Sequence, residues 1–173
     1  MKHLSIDLET MGTEPGCPIL SIGAVYFDPE TGEMGDHFYK AISLESSMEL
    51  GMKPSASTIM WWMQQSEEAR NEFVHKICYP AEKVLREFRE FASGSTPWGN
   101  GATFDIGLLE AAFSMIGLPP TWKFWAIRDL RTLVELTRGE DLRALPFGGE
   151  KHNALYDAIH QAKMVITGVG LMK

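Results

Sequence analysis

Asp7 and Glu9 stand two residues apart in the run Leu4-Ser5-Ile6-Asp7-Leu8-Glu9-Thr10. Leu4 and Ile6 read as a strand entering a core, and in a strand residues i and i+2 share one face. Two carboxylates side by side repel unless something positive lies between them, and a divalent cation is the simplest candidate. The pair alone is a weak signal, because about three acid-x-acid pairs arise by chance at this composition. Asp28 and Glu30 form another in what reads as a turn, and a strand end whose carboxylates cap the next element would look the same.

Two more acids change the balance. Asp105 opens a helix after the glycine-punctuated Trp98-Gly99-Asn100-Gly101, where it could equally serve as an N-cap. Asp157 lies inside an apolar helix beside Leu155, Ala158 and Ile159. Asp is a poor helix-interior residue, and a buried carboxylate needs a partner. His152 precedes it by five residues, in the loop leading into that helix, from which its imidazole could reach whatever Asp157 binds. The plainer alternative is a solvated loop histidine.

The elements that must hold these groups are legible from periodicity. Ile19–Phe27 and Phe38–Ile42 are rich in β-formers around the turn Asp28-Pro29-Glu30-Thr31-Gly32, so with the first strand they predict an antiparallel meander. Ser55–Gln65 and Ser66–His75 read as short helices, each opening near a serine. Val84, Leu85, Phe88, Phe91 and Ala92 mark a clearer one. Thr96–Gly101 reads as a strand end; Ile106, Leu109, Phe113 and Ile116 mark the next helix, which Gly117 and Pro119-Pro120 stop. Lys123–Ile127 predicts a strand, Leu130–Thr137 a helix, and Leu155, Ala158, Ile159, Ala162, Val165 and Ile166 a final amphipathic helix. This order implies an α/β sheet with an antiparallel half and a parallel half.

At 173 residues the chain suits one compact domain, 1–173. No apolar run approaches the roughly 18 residues of a membrane helix. Met1-Lys2-His3 leads straight into the first strand without an apolar leader, so a cytoplasmic location is expected. Cys17 and Cys78 have neither zinc-site nor disulfide spacing. A net charge of −7 argues against a protein that coats nucleic acid, though not against one gripping a strand end in a local groove.

Taken together, Asp7-Leu8-Glu9-Thr10, Phe104-Asp105 with the upstream Asn100, and His152 followed by Asp157 resemble the motifs of the DnaQ-like DEDDh family of 3′–5′ exonucleases, in their order. The resemblance covers nearly the whole chain. Thr58–Arg70, with its Trp61-Trp62 pair, and Arg128–Leu133 are similar to the branch holding phage exonuclease A, exodeoxyribonuclease VIII-like proteins and a mycobacterial exoribonuclease. The resemblance implies a ribonuclease H-like mixed five-stranded sheet, three antiparallel strands then two parallel ones, flanked by helices. It implies two Mg²⁺ or Mn²⁺ ions held by Asp7, Glu9, Asp105 and Asp157, with His152 as general base. The implied partner is single-stranded nucleic acid or a 3′ overhang, DNA and/or RNA, and a homodimer stays open. Thr10 and Met11 would meet the terminal nucleotide, although Met11 stands where many members carry a second threonine. Trp61, Asn100 and Phe104 would complete the substrate contacts.

Bland readings compete. Trp61 and Trp62 point about 100° apart on a helix, so at least one is expected in the core. Trp98, Trp122 and Trp125 are expected there too. Arg128 and Arg131 lie near Asp129, Glu135, Glu140 and Asp141 and read as a mixed solvated face. An aspartyl-nucleophile phosphatase also places an acid at the end of an early strand, but it has no use for His152 and expects aspartate where Glu9 stands. A catalytically silent nucleic-acid-binding module is the third reading, which a metal-dependent nuclease assay would separate.

Overall fold

The computed structural model describes residues 1–74, 77–137, 142, 144–149 and 152–173. Five strands form one sheet in the order β3-β2-β1-β4-β5: β1 His3–Thr10, β2 Ile19–Phe27, β3 Met34–Ala41, β4 Thr96–Gly99 and β5 Arg128–Asp129. β1 pairs antiparallel with β2 and parallel with β4; β2–β3 is antiparallel and β4–β5 parallel. The expected mixed sheet is therefore present, with β1 at its centre.

The central strand is buried on both faces, and its alternation decides what each face holds. Leu4, Ile6 and Leu8 join a core with Val84, Leu85 and Phe88 of helix α4 (Ala81–Phe91) and Ile106, Leu109 and Phe113 of α5 (Ala102–Met115). The opposite face carries Ser5, Asp7 and Glu9. The core on that side joins Val25, Phe27 and Trp98 to Leu130, Leu133 and Val134 of α6 (Leu130–Leu136) and Ala162 and Val165 of the C-terminal helix α7 (Ala154–Leu171). Short helices α1 (Leu44–Glu49), α2 (Ala56–Met63) and α3 (Glu67–Val74) follow β3.

Several boundaries differ from the pattern reading. Helix α1 is absent from it, although Ser43 caps the helix by accepting from the Ser46 N–H at 3.2 Å. Lys123–Ile127 is not a strand: Phe124–Ala126 form a 3₁₀ turn, and β5 comprises only Arg128 and Asp129, opposite Trp98 and Gly99. Aromatic and β-branched residues there favour a strand locally, but pairing with β4 decides where one forms. His75, Glu140 and Asp141 lie outside the described residues.

One close approach positions the C-terminal helix. Gly23 pairs with Asp7 across the antiparallel ladder, and a Cβ built there would lie 2.1 Å from the Ala154 carbonyl carbon. Only glycine lets the first turn of α7 rest on the sheet beside Asp7. Gly23→Ala is expected to cost on the order of 1–3 kcal/mol of stability, as overpacking does, and to displace the turn that carries Asp157. Chemical denaturation read against divalent-ion affinity checks both parts; an unchanged midpoint and affinity would refute them.

Candidate active site

Carboxylate oxygens of Asp7, Glu9 and Asp157 all lie within 4.8 Å of one another, although the residues come from opposite ends of the chain. β1 supplies two of them through its two-residue alternation. α7 supplies the third from its first turn rather than its interior, a correction to the sequence reading. Asn153 caps that helix, its Oδ1 accepting from the N–H groups of Leu155 and Tyr156 at 3.1 and 3.3 Å. A carboxylate so close to a helix N-terminus is favoured by the local dipole.

Asp105 also sits within a helix start rather than at the cap. α5 begins at Ala102 after Gly101, whose φ of 99° belongs to the left-handed region. Asp105 is buried, and burial pushes its pKa up to about 7 against the pull of backbone N–H groups of Leu8, Asn100 and its own residue and of the Arg131 guanidinium. Asp7 is raised well above the usual carboxylate range. Desolvation is the chief cause, followed by the charges of Asp105, Glu9 and Asp157; a hydrogen bond from Gln161 Nε2 to Asp7 Oδ1 at 2.6 Å opposes it. Three carboxylates thus meet, with Asp105 close enough to act on Asp7, and hard oxygen donors so arranged suit Mg²⁺ or Mn²⁺.

His152 occupies the left-handed region with φ 63°, the one non-glycine residue to do so among those described. Histidine enters that region more readily than most residues. Its imidazole stands edge-to-face against Trp61 and Trp62, with centroids 5.4 and 6.1 Å apart. The two indoles divide their tasks as their 100° offset requires. Trp62 is buried and donates its indole N–H to the Thr10 carbonyl at 2.9 Å, whereas Trp61 is 42% exposed.

Beside the acids lies a cleft of about 460 Å³ lined by Leu8, Glu9, Thr10, Trp61, Trp62 and Phe104, among others. The Thr10 hydroxyl donates to the Gly12 carbonyl at 2.7 Å. Met11 does not face the cleft: its side chain packs in a core with Leu20, Trp62 and Ala69, so the chain turn after Thr10 points it inward. Asn100 is exposed, and its Oδ1 accepts from Arg131 Nε at 3.4 Å. Trp98 and Trp122 are core residues as expected, but Trp125 is 64% exposed because the 3₁₀ turn carries it off the sheet.

Two contributors escaped the pattern reading. Gln161 falls one turn after Asp157 on the same face of α7, a four-residue spacing that could have flagged it. Asp129 Oδ2 accepts from the Ala102 N–H at 2.6 Å, tying β5 to the start of α5.

The charge crowding has a measurable consequence without metal. A carboxyl whose folded pKa is raised binds protons more tightly folded than unfolded, so its contribution to stability is lost as pH rises from the ordinary value near 4 towards the folded one, about 7 for Asp105. In EDTA, wild type is expected to lose more melting temperature between pH 5 and 7.5 than Asp105→Asn does. Divalent ions should restore wild type at pH 7.5. Parallel slopes for the two proteins would refute this.

The model of the Rv2179c-like 3′–5′ exoribonuclease domain matches residues 2–169. A relative, the exodeoxyribonuclease of Enterobacteria phage T4, is 27% identical over 92% of this chain and 84% of its own length. Two solved structures share the fold. The nuclease domain of 3′hExo, a DEDDh family member bound to rAMP, is 18% identical with a TM-score of 0.56, covering 95% of this chain and 90% of that one. Exonuclease X in complex with 5′ overhanging duplex DNA is 18% identical with a TM-score of 0.58, covering 97% and 91%.

Proposed function

Because the chain belongs to the Rv2179c-like 3′–5′ exoribonuclease domain family, and so is a 3′–5′ exonuclease, we propose that it removes 5′-mononucleotides from single-stranded 3′ ends of both DNA and RNA. Residues 1–173 act as one catalytic domain in this reading. The observation that carries it is the meeting of Asp7, Glu9 and Asp157 within 4.8 Å, with Asp105 near enough to raise the Asp7 pKa. Together these four would hold two divalent cations, which supply charge relief on the phosphate and an acidified water when bound.

The chain's own groups account for the remaining steps. His152 accepts the proton of the attacking water, a task suited to an imidazole near neutral pH. Trp61 and Phe104 offer ring faces to the terminal bases, while Thr10 and Asn100 border the sugar and phosphate. Ring faces grip bases that DNA and RNA share, which is why both polymers are expected as substrates. Gln161 orients Asp7 through its 2.6 Å hydrogen bond.

Matched 5′-labelled DNA and RNA strands, single-stranded or with 3′ overhangs, test the reading in Mg²⁺, Mn²⁺ and EDTA. Both sugars should yield ladders shortening from the 3′ end in either metal and none in EDTA. Cleavage confined to one sugar would overturn the dual specificity. An acyl-phosphate on Asp7 would instead revive the phosphatase chemistry.

A further inference from the structure

Phe124 and Trp125 leave 79% and 64% of their surfaces in water, with their rings edge-to-face and centroids 4.8 Å apart. Two adjacent exposed aromatic side chains on a short turn have no role in any of the three cores. The same run exposes three cations, Lys123, Arg128 and Arg131. Arg128 Nη1 donates to the carbonyls of Trp125 and Ile127 at 2.9 and 3.0 Å, which ties its guanidinium to the aromatic turn. The one acid among residues 123–131 is Asp129, and its carboxylate is engaged by the N–H groups of Ala102 and Thr132. A chain of net charge −7 thus concentrates positive charge and ring faces along one edge of its sheet.

That edge leads to the candidate site. Arg131, at its far end, reaches Asn100 and would lie 3.2 Å from a Cβ on Gly101, at the corner where α5 begins and Asp105 follows. We propose that residues 123–131 form a strip that binds the single-stranded substrate upstream of its 3′ end, Phe124 and Trp125 stacking on bases while Lys123, Arg128 and Arg131 meet phosphates. The proposal rests on the exonuclease reading and adds a contact surface outside the cleft. Exposed rings interleaved with cations are the combination that single-stranded nucleic acid selects. A second copy of the chain fits less well. A two-fold contact sets the same patch against itself, so the three cations of one copy would face those of the other.

The strip should matter only for strands long enough to reach it. Phe124→Ala/Trp125→Ala is expected to raise KM about tenfold or more on oligonucleotides of about a dozen residues. Turnover of a dinucleotide should stay within about twofold, as only the cleft is then filled. Arg128→Gln should flatten the dependence of log KM on log salt by about 0.7 for a lost phosphate contact. Phe124→Tyr/Trp125→Phe, which keeps the rings, should recover most of the affinity.

Equal losses on dinucleotide and long strand, or no loss on either, would overturn the strip alone. So would a fall in sedimentation mass on Phe124→Ala/Trp125→Ala, which would mark the surface as a contact between copies. A wild-type protein unable to shorten the long strand in either metal would remove the nuclease reading, and this inference with it.

Discussion

Asp7→Asn is expected to lower nuclease turnover by a factor on the order of 10³ or more, the scale on which transition-state charge stabilisation is lost when a key group is removed. Asp7 is the group on which the charges of Asp105, Glu9 and Asp157 all act. The substitution removes one negative charge from the point of greatest crowding and leaves the shape of the side chain almost unchanged. The amide oxygen can still accept from Gln161, so the packing of α7 on β1 survives. The ion-free variant should therefore melt no lower than wild type at pH 7.5, while its Mn²⁺ affinity falls sharply. Calorimetric titration beside single-turnover cleavage separates these effects. Retained Mn²⁺ affinity with turnover within tenfold of wild type would remove Asp7 from the centre of the site.

His152 should behave differently. Its loss is expected to cost about 10²–10⁴-fold in turnover, the usual contribution of a positioned general base, with Mn²⁺ affinity largely unchanged. The variant must respect the backbone. At φ 63° an alanine adds strain of its own, whereas asparagine tolerates the left-handed region. His152→Asn is thus the cleaner probe, and His152→Ala a check on how much of the loss is conformational. Comparable turnover in His152→Asn and wild type would dismiss the base assignment.

Why some of this was legible from residues alone follows from what each signal reports. Asp7 and Glu9 share a face because strand alternation is geometric, and β1 needs no tertiary contact to impose it. The helical stripes of α4, α5 and α7 are equally direct, since a wide apolar face has to be covered. Errors cluster where neighbours decide. Phe124 and Trp125 look like strand residues, yet β4 offers pairing only at Arg128 and Asp129. Trp125 looks like core and lies in water, while Met11 looks like a cleft residue and lies in the core. Both reversals come from the direction of a single turn, which composition does not encode. Gln161 carries no charge to draw notice, and its importance arises only when α7 docks against Asp7.

The pairing of chain positions 7 and 157 also bears on when the protein can first act. A polypeptide leaves the ribosome amino end first, and a domain generally folds as a unit. The chain positions that bear Asp7 and Glu9 are made first, and the third carboxylate of the cluster, Asp157, only with α7. The three-carboxylate cluster is therefore complete only once α7 has docked on β1.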